Sequence, residues 1–339
     1  LNDLDSTFVI AEAGVNHNGS IELALDLIET AKRCGADAVK FQAFRTDRLV
    51  TRQAGKAAYQ QRTSPEAETQ YAMLESLELS EAQFALISDR CATLGIEFMA
   101  SPFDEASASL LDDMGMRRFK IPSGEITNLP LLAHIGAFAK PVILSTGMCH
   151  LADVEPALYR LLDAGAADVT LLHCVTEYPA PYDEINLTAM DTLARAFGVK
   201  VGYSDHTQGT EISLAAVAMG AVVLEKHFTL DTTMPGPDHA ASLAPDDFQR
   251  MVEGIRHIEM ARGDGRKRPA PCEQANASVV RKSIVVNRPL AAGDVITEAH
   301  VTVKRPGCGM APSLLGAVIG RQVARPLAVD ELLDWQDLS

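Results

Sequence analysis

The sequence predicts a (β/α)8 TIM barrel over residues 1–262, then a small β-rich module over residues 278–339. Three observations predict it. Strand-like and helix-like segments alternate with a regular beat, giving eight strand–helix units in about 260 residues, the size of such a barrel. The apolar run of nearly every strand ends in a polar residue. Around Gly263 the texture changes: Gly263-Asp264-Gly265-Arg266-Lys267-Arg268-Pro269 is rich in turn residues and reads as a linker, taken here as residues 263–277. An open doubly wound sheet would carry a glycine fingerprint after its first strand, and none is present.

The elements follow in order. Phe8–Ala11 is the first strand and Ile21–Cys34 the first helix, then Ala38–Phe41. The segment Phe44–Ser76 is longer than a usual βα loop and is expected to form a lid. A helix near Glu81–Leu94 leads into Ile96–Met99, Ala106–Met114 into Arg118–Ile121, and Leu129–Phe138 into Val142–Leu144. Val154–Ala164 precedes Val169–Leu172, Leu187–Phe197 precedes Val199–Tyr203, and Gly209–Gly220 precedes Ala221–Leu224. A helix near Asp246–Ala261 closes the series. In the terminal module, Ser283–Val286, Val301–Val303 and Gln322–Ala324 are short strand candidates between Gly and Pro turns.

Bulk properties narrow the function. At 47% hydrophobic and 22% charged the chain reads as an ordinary globular protein, and no apolar run reaches the roughly 18 residues that span a bilayer. A net charge of −15 argues against nucleic acid, and requires any anionic substrate to meet a local cluster of basic residues. Six dispersed cysteines lack zinc or redox spacing and, with no export signal ahead of the first strand, are expected as reduced thiols in the cytoplasm.

Barrel sites lie at the carboxyl ends of the strands. Read in order, those ends offer Glu12, Lys40 and Gln42, Ser101, Ser123 and Glu125, Ser145, His173, Ser204 and His206, then Glu225 and His227. Alternation places Lys40 with Gln42, Ser204 with His206, and Glu225 with His227, while Lys226 turns toward the helices. The two histidines end consecutive strands at one end of the sheet. They are suited to a divalent metal with open positions for substrate and water, or else each caps its strand. Lys40, Lys120, Ser123 and Ser204 suit a phosphate or carboxylate, and Glu12 and Glu125 suit sugar hydroxyls or proton transfer. Together they point to metal-assisted addition of a phosphorylated anion to a sugar carbonyl. A Schiff-base aldolase on Lys120 is a competing enzyme class. An ice- or glycan-binding role for the terminal module is a non-enzymatic one.

Several long strings carry a resemblance over essentially the whole chain. They are Ala11-Glu12-Ala13-Gly14-Val15-Asn16-His17-Asn18-Gly19, Val39-Lys40-Phe41-Gln42, Ser101-Pro102-Phe103-Asp104 and Lys120-Ile121-Pro122-Ser123-Gly124-Glu125. Tyr178-Pro179-Ala180-Pro181, Ser204-Asp205-His206-Thr207, Glu225-Lys226-His227-Phe228, Pro235-Gly236-Pro237-Asp238-His239 and Lys304-Arg305-Pro306-Gly307 complete the series. In order, they resemble the bacterial nonulosonate (sialic acid) synthases, which include N-acetylneuraminate, legionaminate and pseudaminate synthases and a spore-coat polysaccharide relative. The strings Ala11–Val15 and Ser123–Asn128 look closer to the legionaminate members.

The resemblance implies a TIM barrel with an antifreeze-like (SAF) domain, working as a domain-swapped homodimer. It implies condensation of phosphoenolpyruvate with an open-chain N-acyl hexosamine, supported by Mn²⁺ or a similar ion such as Mg²⁺ or Co²⁺. Carried over by motif, His206 and His227 would bind the metal, and Lys40, Lys120, Ser123 and Ser204 the phosphoenolpyruvate. Glu12, Gln42, Tyr178 and Asp238 would hold the sugar, Glu125 would act near the reacting water, and Arg305 would reach the partner's site. The sister DAHP and KDO-phosphate synthases share the chemistry but have no such small domain. Two departures stand out: Thr176 where some members have an asparagine, and Cys308 where Arg-Pro-Gly-Asn-Gly is usual.

Overall fold

A computed structural model describes residues 6–56 and 69–339, which divide into two compact units between Asp264 and Gly265. The first unit contains eight strands: β1 (Phe8–Gly14), β2 (Ala38–Ala43), β3 (Glu97–Pro102), β4 (Phe119–Ile121), β5 (Pro141–Ser145), β6 (Asp168–His173), β7 (Val201–Asp205) and β8 (Val223–His227). They form one sheet in the order β3-β2-β1-β8-β7-β6-β5-β4. Every hydrogen-bonded pair in it is parallel, and the first strand lies between the second and the eighth. This is the (β/α)8 barrel.

Parallel neighbours need long crossovers, and helices supply them. They are α1 (Ile21–Arg33), α2 (Thr46–Leu49), α3 (Gln70–Leu77), α4 (Glu81–Leu94), α5 (Glu105–Asp113), α6 (Leu129–Gly136), α7 (Leu151–Ala164), α8 (Ala189–Phe197), α9 (Glu211–Ala218) and α10 (Pro245–Arg262). Local chemistry sets their ends. Ser80 and Gln83 form a capping box ahead of α4, which stops at Gly95 in the left-handed region. Helix α7 starts at Leu151, three residues before the expected Val154, because the Asp153 carboxylate accepts from the His150 N–H. Of the expected lid, α2 and α3 are described, and residues 57–68 lie outside the described residues.

The main core lies between strands and helices. A second apolar cluster of Ile10, Ala38, Met99, Ile143, Leu172 and Val223 comes from alternate positions on six strands. Two residues further along each of those strands stand Glu12, Lys40, Ser101, Ser145, Cys174 and Glu225, which line one cavity. Strand alternation thus stacks a polar layer on an apolar plug, as the interior layers of such barrels require.

In the second unit, helix α11 (Gln274–Val280) precedes the antiparallel pair β9 (Ser283–Val286) and β10 (Val301–Lys304). Ile284, Val286, Leu290, Ile296, Val318, Val323, Leu327 and Leu333 form its core. The expected strand Gln322–Ala324 makes only isolated bridges, Val295 with Gln322 and Val323 with Leu338, because its two sides face different segments. Among the described residues, no helix is long and apolar enough to cross a membrane.

Candidate active site

The cavity at the carboxyl ends of the strands has a volume of about 450 Å³. Its floor holds two buried lysines and two buried glutamates. Lys40 Nζ lies 2.6 Å from Glu12 Oε2 and donates to Ser101 Oγ at 3.0 Å. Glu225 joins the lysines: its Oε1 is 3.2 Å from Lys120 Nζ and accepts from Ser204 Oγ at 2.8 Å, and its Oε2 is 3.7 Å from Lys40 Nζ.

These contacts divide the titrations. Burial pushes Glu12 up to about 7, with Lys40 opposing the shift. Burial also acts on Glu225, but Lys120 and Lys40 outweigh it and hold that carboxyl at about 2. Burial lowers Lys120, while for Lys40 the burial penalty is exceeded by Glu12 and Glu225 and the pKa rises. Burial lifts Asp238 to about 6.

The two histidines are neutral. Burial lowers His206 to about 4, and burial together with neighbouring His206 takes His227 well below its ordinary value. His206 Nδ1 lies 2.6 Å from the Val175 carbonyl oxygen, so Nδ1 carries the proton and Nε2 keeps its lone pair. Buried His227 Nδ1 has no hydrogen-bond partner. The rings stand 5.5 Å apart, with Tyr178 4.2 Å from His206 and 5.4 Å from His227. Two adjacent neutral imidazoles with free lone pairs fit a divalent ion. Among the described residues no group of three or more His, Cys, Asp or Glu is arranged for a metal, so the remaining ligands would be substrate and water.

The anion side carries further donors. Ser123 Oγ accepts from the Gly147 N–H at 2.8 Å and lies 3.2 Å from Cys174 Sγ. Ser145 Oγ and Thr176 Oγ1 line the cavity, buried and without hydrogen-bond partners, as expected of hydroxyls that meet a ligand. Cys174 stays a thiol, its pKa raised by burial. Glu12, Gln42 and Asp238 converge on Gly14. A Cβ there would lie 3.3 Å from Glu12 Oε1, 3.5 Å from Asp238 Oδ2 and 3.6 Å from Gln42 Nε2, and Gly14 itself has φ +53°.

Of the expected site residues, Glu12, Lys40, Gln42, Lys120, Ser123, Tyr178, Ser204, His206, His227 and Asp238 line this cavity. Glu125 does not. The chain turns through Ser123–Glu125, and the Glu125 carboxylate accepts from Asn128 Nδ2 at 2.8 Å. Arg305 follows β10 in the second unit. His173 faces away, its Nε2 2.7 Å from the Ile185 carbonyl oxygen. The sequence marks Glu225 only as a strand-end residue, and the structure makes it the junction of the charged floor. An acid inside an apolar strand, two residues before an inward histidine, was the available signal.

Residues 27–267 match the NeuB family, and residues 281–339 match the SAF domain. The chain is 46% identical over 335 residues to N,N'-diacetyllegionaminic acid synthase of Legionella pneumophila, covering 98% of this chain and 94% of that one. It is 47% identical over 335 residues to the enzyme of the same name from Campylobacter jejuni, covering 97% and 99%. Among solved structures it is similar to N-acetylneuraminic acid (sialic acid) synthetase of Leptospira borgpetersenii in complex with citrate. There the TM-score is 0.73 at 33% identity, over 80% of this chain and 90% of that one.

Proposed function

The chain belongs to the NeuB family, and from that premise we propose that it is a nonulosonate synthase that condenses phosphoenolpyruvate with an N-acyl mannosamine-type sugar. Its two relatives named N,N'-diacetyllegionaminic acid synthase favour reading its own acceptor as the diacetamido trideoxy mannose rather than N-acetylmannosamine. One observation carries the reading. Two buried lysines, two unpartnered hydroxyls and two neutral histidines share a single cavity.

In this reading Lys40, Lys120, Ser123 and Ser204 hold phosphoenolpyruvate, with Ser145 and Thr176 adding hydroxyl donors. Glu12, Gln42, Tyr178 and Asp238 hold the open-chain sugar. A divalent ion on His206 and His227, Mn²⁺ by the family resemblance, supplies Lewis acidity when bound. C3 of phosphoenolpyruvate attacks the aldehyde carbon, and water adds to C2. The C–O bond to phosphate then breaks, leaving the new keto acid. Of the two protons of the added water, one leaves with phosphate and the other replaces the proton that Glu12 gives. Glu12, with a pKa near 7, delivers the proton that turns the aldehyde oxygen into a hydroxyl. Glu225 stays ionised and keeps both ammonium groups pointed at the anion. The reading extends to a domain-swapped homodimer in which Arg305 of the partner subunit meets the N-acyl group, and to the cytoplasm, where the free thiols suit a reducing medium.

Phosphate release from phosphoenolpyruvate tests it, with Mn²⁺ and each sugar, with and without EDTA. Metal-dependent release, faster with the trideoxy sugar, is expected. A folded, metal-loaded protein that releases none with either sugar would sink the proposal.

A further inference from the structure

Behind the histidine pair lies an ion pair that takes no part in the cavity. Lys226 Nζ stands 2.9 Å from Asp205 Oδ2, and both side chains are wholly buried, at 0% exposure. Asp205, the last residue of β7, faces Lys226 directly across the β7–β8 ladder. One residue further along each chain come His206 and His227. Alternation turns Lys226 away from the wall that Glu225 and His227 line. Its ammonium makes a second bond, donating to the Thr207 carbonyl oxygen at 2.5 Å. One side chain therefore grips the residues on both sides of His206 and is itself the neighbour of His227.

Asp205 completes the bracket. Its Oδ1 accepts from Thr207 N–H at 2.9 Å and Oγ1 at 2.8 Å, and its Oδ2 accepts from Ser213 Oγ of α9 at 2.6 Å. His206 needs such support because it lies one residue beyond β7, outside the ladder that aligns β8. Removing two charges from water costs about as much as their attraction returns, so the pair adds little net stability over an apolar pair. What it does impose is geometry.

We propose that Asp205 and Lys226 are positioning residues whose ion pair sets the spacing and facing of the His206 and His227 imidazoles. The inference rests on the reading that those histidines hold a divalent ion. With two protein donors and, among the described residues, no third to correct a misplaced one, affinity depends steeply on how the pair is held.

The test is Mn²⁺ binding to the substrate-free protein, following the free ion by electron paramagnetic resonance. The double variant Asp205→Asn/Lys226→Met removes both charges, yet keeps an oxygen acceptor for Thr207 and fills the space of the lysine stem. It is expected to fold with a Tm within a few degrees of wild type and to bind Mn²⁺ at least tenfold more weakly. Ser213→Ala removes one bond to Asp205 and leaves the histidines' own bonds untouched. A two- to threefold loss is expected there, and this variant decides the matter if the double variant does not fold. Wild-type Mn²⁺ affinity in the folded double variant, or in Ser213→Ala where it decides, would make the pair a strand clamp only and overturn the inference. Wild-type protein that binds Mn²⁺ no better than His227→Ala would overturn the metal reading beneath it.

Discussion

Glu12 and Glu225 both contact Lys40, yet they titrate at opposite ends of the carboxylate range, about 7 and about 2. Lys120 and the Ser204 hydroxyl belong to Glu225 as well, and that difference separates a proton carrier from a fixed anion. The sign for Glu12 follows from linkage. Between pH 4.5 and about 7 the folded state binds a proton that the unfolded state has lost, so its contribution to stability falls as pH rises through that window. Glu12→Gln lacks this loss, so the Tm advantage of wild type over the variant should shrink from pH 5 to pH 7.5. A constant gap would mean that Glu12 does not titrate there. Removing Glu225 strips the lysines of their shared partner. Glu225→Gln should cost roughly 3–5 kcal/mol in denaturant unfolding. His206→Ala and His227→Ala should each lower kcat by more than ~100-fold, beyond the usual effect of losing an outer support, with far-UV circular dichroism unchanged. A wild-type rate in either would remove it from the metal set.

At the scale of elements, two close approaches hold the site in shape. Gly202 lies in the apolar plug two residues before Ser204, and a Cβ there would sit 2.3 Å from the Val223 carbonyl oxygen and 2.7 Å from Leu172 Cδ2. Gly202→Ala should therefore overpack the barrel and lower stability by about 1–3 kcal/mol. Gly147 follows β5 on the anion side, where a Cβ would stand 2.2 Å from Thr176 Oγ1 and 2.9 Å from Ser123 Oγ. Gly147→Ala should raise KM for phosphoenolpyruvate at least tenfold, because Thr176 and Ser123 must shift to make room; an unchanged KM would place the anion elsewhere. The pattern of each glycine's own segment does not show why it is necessary, because the atoms it must clear come from other strands and their loops. The strands themselves were legible, since alternation is local. The turn through Ser123–Glu125 was not, because the strand ends at Ile121 and alternation no longer assigns a face beyond it.

For the whole molecule, the proposed exchange between subunits has its own test. Arg305→Ala should raise KM for the sugar without altering KM for phosphoenolpyruvate. Mixing and refolding it with inactive His227→Ala should restore part of the activity, since one site of each mixed dimer would be intact. No recovery would argue against the exchange. The barrel, the polar layer at its strand ends and the inward sets Lys40 with Gln42, Ser204 with His206 and Glu225 with His227 are already legible in the order of the residues. All of these follow from periodicity within single segments. Three relations emerge only in the folded barrel: Glu225 of β8 bridges Lys40 of β2 and Lys120 of β4, Glu12 holds its proton to about 7, and Lys226 brackets His206 from behind. Those relations arise when β1 pairs with β8 and the sheet curls round. That step buries distant charges side by side on the floor of one cavity, where their mutual distances, and no local pattern, set what each can do.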